Sequence, residues 1–264
     1  MCLKECFPDK EVIMANHNSF INENFYNIYP SSKKYDMVVS SSFTDFKRVI
    51  LGRKIKNTAH IGYSCMGHLD YIPDYGFRAN FKNNSRDMKD YHYLNQQEIL
   101  DIYSSSKIGG IFSKTEGACF SSGEYLLCGL PVLSTHCKGG REYFYDNYNC
   151  VLCEPTEDAI YKGFKKIMKR YKKNDIDPIK IRNNHIKIME EQRDILTNKV
   201  IEIYKKICLN PPDFKELRNK LKYYHSNINV GTYKNIDKNK HPIFYEECFK
   251  QSEIMSKAID ILKN

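Results

Sequence analysis

Long apolar runs are missing from this 264-residue chain. No stretch approaches the roughly 20 apolar residues that a membrane-spanning helix needs, and the opening MCLKECFPDK has no apolar core of the kind that marks a secretory signal. The sequence therefore predicts a cytoplasmic protein. A second CxxC and an HxxxH are missing as well. Cys150 and Cys153 have zinc-like spacing, but with no second ligand pair to follow them only His136 and Cys137 stand nearby. The expectation is no metal: ten cysteines without a signal read as reduced thiols, with Cys150 and Cys153 on a buried strand. There is no internal repeat, and no RNP, KH or finger motif. Nucleic-acid binding thus stands behind other readings, although twenty tyrosines and a net charge of +9 would suit base stacking and phosphate contact.

What is present is an ordinary globular composition, 41% hydrophobic and 28% charged with thirteen glycines, which is too apolar for wholesale disorder. The length allows one good core or two small domains. The positive field favours anionic partners: a nucleotide, a nucleic acid or an acidic membrane face.

From Tyr35 to Thr135 short β-rich runs alternate with helical patterns, the signature of a parallel sheet with crossover helices. Met37 to Ser41, Thr58 to Gly62, Ile108 to Ser113, Val132 to Thr135 and Val151 to Cys153 read as buried strands. Leu94 to Ser105 and Ser121 to Cys128 carry helical spacing. Ser64 to His92 is polar and aromatic and receives no firm structure. Beyond Pro155, Ile160, Phe164, Ile167, Met168 and Tyr171 mark one helix face, and a longer helix runs from about Ile179 to Cys208. Asn210 to Pro242 reads as a mobile segment before a last amphipathic helix carrying Cys248, Met255, Ala258, Ile259 and Leu262. The lysines between Tyr161 and Lys173 read as a solvated helix face, with contact to an anionic membrane as the other meaning.

The chemistry concentrates in IFSKTEGACFSSGEYLLCGLPVLSTHCKGGRE, Ile111 to Glu142: strand, loop, helix, strand, glycine loop. In an open parallel sheet, ligands sit beyond the carboxyl ends of the strands. A helix starting near Cys119 would aim backbone N–H groups and its positive dipole end at a diphosphate. Glu124, about five residues into that helix and roughly 7 Å along its axis, would reach a ribose and accept its hydroxyls. Glu116, on the loop before the helix, would face the sugar. Gly129, Leu130 and Pro131 end the helix sharply. Lys138, Gly139, Gly140 and Arg141 suggest a second phosphate loop with bare amides. On the residues alone, Glu116 and Glu124 read equally well as surface carboxylates.

SKTEGACFSSGEYLLCGLPVLST resembles the donor-site signature of glycosyltransferase family 4, the retaining group 1 enzymes of GT-B fold, with Glu116 and Glu124 as its EX7E pair. The resemblance extends from about Tyr35 to Ile160, through YLNQQEILDIYSSSKIGGIFS and GGREYFYDNYNCVLCEP. It implies that Glu116 contacts the donor sugar, that Glu124 binds the ribose, and that Gly117, Ala118, Cys119 and Phe120 carry the diphosphate, with Lys138, Gly139 and Gly140 beside them. The family also supplies an arginine and a lysine, five positions apart, to neutralise the diphosphate. In SSFTDFKR, Lys47 matches, while Ser42 stands where the arginine belongs and Arg48 or Arg53 would compensate.

These observations predict an α/β, Rossmann-like donor-binding domain over residues 35–175, preceded by a remnant of an N-terminal acceptor domain and linker (1–34) and followed by a helical region (176–264). EVIMANHNSFINENFYNIYP supplies that remnant, with His17 a candidate site residue that reads more naturally as structural. The expected activity is retaining, metal-independent transfer from a sugar nucleotide such as a UDP- or GDP-sugar to a carbohydrate, glycolipid or glycoprotein. Glu116, Lys47 and Arg48 form the catalytic set. No DxD-like pair lies near the motif, and no protein nucleophile is needed if the acceptor attacks from the leaving group's face. Other readings are a catalytically idle sugar-nucleotide binder that needs a partner chain, and a basic nucleic-acid-binding protein.

Overall fold

The computed structural model describes residues 11, 13, 15–42, 44–63, 80–81, 94–206 and 210–224. Eight strands follow in chain order: β1 (Tyr35–Ser42), β2 (Thr58–Tyr63), β3 (Asn80–Phe81), β4 (Ser106–Ile111), β5 (Thr115–Glu116), β6 (Val132–Thr135), β7 (Lys138–Gly139) and β8 (Cys150–Cys153). Five helices accompany them: α1 (Gln96–Ser104), α2 (Phe120–Leu127), α3 (Glu157–Lys172), α4 (Pro178–Lys206) and α5 (Phe214–Tyr224).

Six strands form one parallel sheet in the order β3-β2-β1-β4-β6-β8, and β5 pairs with β7 in a small ribbon. The chain winds outward from β1 in one direction and from β4 in the other, which is the doubly wound Rossmann order. Parallel strands buried on both faces need apolar side chains in both directions. In β1, Val38 faces one core with Leu100, Tyr103, Leu126 and Ile181. Met37 and Val39 face the other, with Ile108, Leu133, Ile160 and Ile167. The five strands read from the sequence all form, each within two residues of its expected ends.

Local signals set the helix ends. Asn95 and Glu98 close a reciprocal capping box on α1, and Thr156 caps α3 through the Ala159 amide at 3.2 Å. α2 stops before Gly129, whose φ of 72° is left-handed, and a side chain there would meet Pro178 at 2.6 Å. In α3 the buried residues are Ile160, Gly163 and Ile167, while Lys162, Lys165, Lys166, Lys169 and Lys172 are exposed, so its lysines form a solvated face.

Two compact units divide at residue 193, Met1–Arg193 and Asp194–Asn264. The first holds the whole sheet and also the opening of α4, because Ile181 and Met189 are part of its core. In the second, α5 lies inside the segment read as mobile: Asp213 caps the Glu216 amide at 2.9 Å, and Arg218 pairs with Asp194. Local capping thus outweighs the Pro211–Pro212 signal that precedes it. The last helix expected from Cys248 to Leu262 lies outside the described residues, as does most of Ser64 to His92. Among the described residues no helix is long and apolar enough to cross a membrane.

Candidate functional site

The strand order reverses between β1 and β4, and a cavity of about 300 Å³ opens at their carboxyl ends. Its walls come from Ser40 and Ser41 near the end of β1, Phe112 and Ser113 after β4, and the loop Glu116–Cys119 leading into α2. Crevices of this kind arise because neighbouring crossovers leave the sheet on opposite faces.

α2 is fixed to the sheet at two points. The Ser40 amide donates to the Tyr125 hydroxyl at 2.8 Å, and the Ser121 hydroxyl donates to the Ser40 carbonyl at 3.1 Å. Tyr125 reaches the sheet only because residue 109 is glycine: a Cβ there would stand 2.1 Å from its ring. No side chain caps the N-terminus of α2, where Cys119 adopts a left-handed φ of 62°. The positive end of the helix is therefore turned to the cavity. The Cys119 thiol is pushed up to about 12, chiefly by burial and then by the Glu116 charge. It stays protonated at neutral pH and is no thiolate nucleophile.

Glu116 and Lys47, two residues singled out in the sequence, meet as an ion pair on the cavity wall, each side chain less than one-sixth exposed. Lys47 ends a short 3₁₀ turn, Asp45–Lys47, which is tied down where the Lys114 amide donates to the Phe46 carbonyl at 2.8 Å. Its ammonium also lies 5.2 Å from the centre of the Phe46 ring, within cation–π range. Gly117, Ala118, Cys119 and Phe120 complete the wall beside Glu116.

Other candidates from the sequence already have partners within the protein. The amides of Lys138 and Gly140 are not bare: they donate to the carbonyls of Lys114 and Gly117 at 3.1 and 2.8 Å. Gly139 has φ 146°, and a Cβ there would overlap the Glu116 carbonyl at 1.5 Å. This glycine loop braces the Glu116 loop and lies off the cavity wall. Arg48, also off the wall, donates to the Phe112 carbonyl at 2.7 Å and to the Thr135 hydroxyl at 2.9 Å. Burial, then the nearby Arg141 charge, lowers its pKa. Arg53 pairs with Glu157 at 2.7 Å. Ser42, where the arginine was expected, is buried at the end of β1.

Glu124 is the fifth residue of α2 and stands outside the cavity wall, half-buried. The Tyr103 hydroxyl donates to its carboxylate at 2.8 Å and Tyr26 donates as well. Burial raises its pKa, and these two hydrogen bonds oppose that shift. Neither tyrosine carried a sequence signal, since Tyr103 reads as core of α1 and Tyr26 sits in the N-terminal arm.

That arm is the feature that sequence reasoning missed most. Asn16 donates to the Gly140 carbonyl at 2.8 Å, and Asn18 donates to those of Ala118 and Cys119 at 2.6 and 3.0 Å. Arg193 and Arg182 of α4 hold the arm from behind, through the carbonyls of Ser19, Glu23 and Tyr26 and the Glu23 carboxylate. Runs of Asn in a polar segment look like loop, and nothing in the sequence shows that their amides serve the carbonyls of Gly140, Ala118 and Cys119. Among the described residues no three His, Cys, Asp or Glu side chains cluster as metal ligands.

Comparison with known proteins agrees with this geometry. The family model described as Glycosyl transferases group 1 matches residues 77–187. No curated protein matches the chain. HepE of Anabaena, solved in complex with UDP, is 14% identical with a TM-score of 0.51 over 79% of this chain and 56% of its own. A glycosyltransferase of Rickettsia africae ESF-5 is 16% identical with a TM-score of 0.52, over 72% and 56%. The chain thus spans little more than half the length of either protein. At such identities the likeness is one of fold, and the fold is the parallel-sheet, Rossmann-like α/β fold of GT-B glycosyltransferase C-terminal domains.

Proposed function

We propose that the unit Met1–Arg193 binds a nucleotide diphosphate sugar in the cavity and that the protein is a glycosyltransferase. The observation that carries this reading is the convergence of the Lys47–Glu116 pair and the uncapped N-terminus of α2 on one cavity at the switch point of the sheet. An uncapped helix start and one ammonium suit a diphosphate. A carboxylate beside them suits sugar hydroxyls. The group 1 match over residues 77–187 and the UDP complex of HepE support the same donor class.

In this reading Lys47 turns from Glu116 to the diphosphate when donor enters, and Glu116 turns to the sugar. Positive charge fixed before the reaction then stabilises the phosphate as the glycosidic bond breaks, without solvent having to reorganise. Glu124, held by two tyrosines, accepts the ribose hydroxyls with its remaining lone pairs. Transfer proceeds with retention and without a metal, the acceptor being a carbohydrate, glycolipid or glycoprotein whose hydroxyl attacks from the face the diphosphate leaves.

A thermal-shift screen with UDP, GDP, ADP and their sugars tests the donor class, because a ligand at 100 times its Kd stabilises by about 2.7 kcal/mol. Glu116→Gln should leave the affinity for free UDP within a few-fold and weaken UDP-glucose by roughly 10- to 100-fold, the equivalent of one or two hydrogen bonds to a charged group. Equal loss of both ligands would assign Glu116 to the phosphate loop instead.

A further inference from the structure

We infer that His17, carried into the site by the N-terminal arm, is a second side-chain contact for the diphosphate, an inference that rests on the donor reading above. His17 opens the short turn His17–Phe20, in which Asn18, Ser19 and Phe20 are buried and His17 alone is exposed. The turn is rigidly placed. Asn16 caps it through the Asn18 amide at 3.0 Å and donates to the Gly140 carbonyl at 2.8 Å. Asn18 grips the Ala118 and Cys119 carbonyls, and Arg193 donates to the Ser19 carbonyl at 2.6 Å.

A turn so closely held leaves its exposed ring in a defined place. The imidazole packs on the Phe120 ring, 4.6 Å between centroids and tilted by 51°, and it lines the cavity. Phe120 is the first residue of α2, so His17 stands beside the helix end that the phosphates would face. Among the described residues lining the cavity, Lys47 and His17 are the basic side chains. Arg48 and Arg53, the other candidates for a second cation, are spent on Phe112, Thr135 and Glu157. A ring N–H of His17 donates to a phosphate oxygen whether the imidazole is neutral or protonated, and the stack on Phe120 fixes its direction before ligand arrives.

The test uses the full chain and calorimetric titration with UDP, inorganic pyrophosphate and uridine. His17→Phe keeps an aromatic ring against Phe120 and removes the donor; it should bind UDP and pyrophosphate about tenfold more weakly, the loss of one hydrogen bond to a charged group. Uridine affinity and the melting temperature without ligand should not change. His17→Gln, which restores an N–H donor, should recover most of the loss. If Lys47→Met weakens UDP and His17→Phe does not, the His17 inference is wrong and the donor reading stands. If His17→Phe weakens uridine as much as UDP, or melts lower with unchanged pyrophosphate binding, His17 is a packing residue and the inference also fails. A wild-type chain that binds neither UDP nor pyrophosphate would overturn both.

Discussion

At the scale of single residues, Glu116 and Glu124 are held in opposite ways. Glu116 has a cation as its partner. Glu124 has two tyrosine hydroxyls as donors and half-buried surroundings that oppose its charge. Removing Glu124 therefore affects more than a ligand contact. Glu124→Ala should weaken UDP by about tenfold or more and also destabilise the protein by about 1 to 3 kcal/mol, since it strands two tyrosine hydroxyls. Glu124→Gln keeps an acceptor for one of them and should separate the two effects, losing affinity with a smaller change in urea midpoint. Equal destabilisation by both variants would mean that charge, rather than hydrogen bonding, holds the tyrosines.

At the scale of elements, α2 is positioned by what its neighbours lack. Gly109 leaves room for the Tyr125 ring against β4, and Tyr125 in turn bonds Ser40 at the end of β1. Gly109→Ala should force the ring and α2 away from the sheet, with a stability loss of about 1 to 3 kcal/mol and weaker UDP binding in the folded fraction. Urea unfolding and titration of the same sample check both halves, and a neutral substitution would show that α2 can slide without cost. The arm acts on the opposite side of the same helix. Asn18→Ala removes two hydrogen bonds to the Ala118 and Cys119 carbonyls; Kd for UDP should rise while the far-UV spectrum is retained. Strand positions and the Gly129 stop were legible in the sequence because each depends on local periodicity or on one residue's allowed φ. The role of the Lys138–Gly140 loop was not, because amides look bare in a sequence whatever carbonyls lie near them in space.

At the scale of the whole molecule, two buried histidines set the response to acid. His185 of α4 packs against Phe144, 4.9 Å between ring centroids, and neither ring nitrogen has a hydrogen-bond partner. Burial, followed by the charges of Arg193 and Arg182, pushes its pKa down to about 3. Burial alone pushes His60 of β2 down to about 4. An unfolded histidine titrates near 6.5, so as pH falls the unfolded chain takes up protons before the folded one. Stability is then fully present above about pH 6.5 and is lost as pH falls towards 4 and 3. The urea midpoint should drop between pH 7.5 and pH 5, and His185→Phe should make that drop shallower. An unchanged slope in the variant would show that His185 does not control it.

The sequence by itself determined the elements and their class: alternating buried strands and amphipathic helices, an uncapped helix after a glutamate and glycine, and a glycine stop. Its resemblance to glycosyltransferase family 4 also pointed to Lys47, Glu116 and the residues Gly117 to Phe120 as candidates for a sugar-nucleotide site. Only the tertiary structure decided which candidates meet. It brought Lys47 onto Glu116, turned Arg48 into the strand ends, gave the Gly139–Gly140 loop to bracing, enclosed Glu124 between Tyr26 and Tyr103, and laid His17 on Phe120. The reason is physical: propensity and periodicity act over a few residues, whereas Asn18 and Cys119, or Arg193 and Glu23, are paired across 101 and 170 positions of chain. Such pairs form only once the core has closed around them.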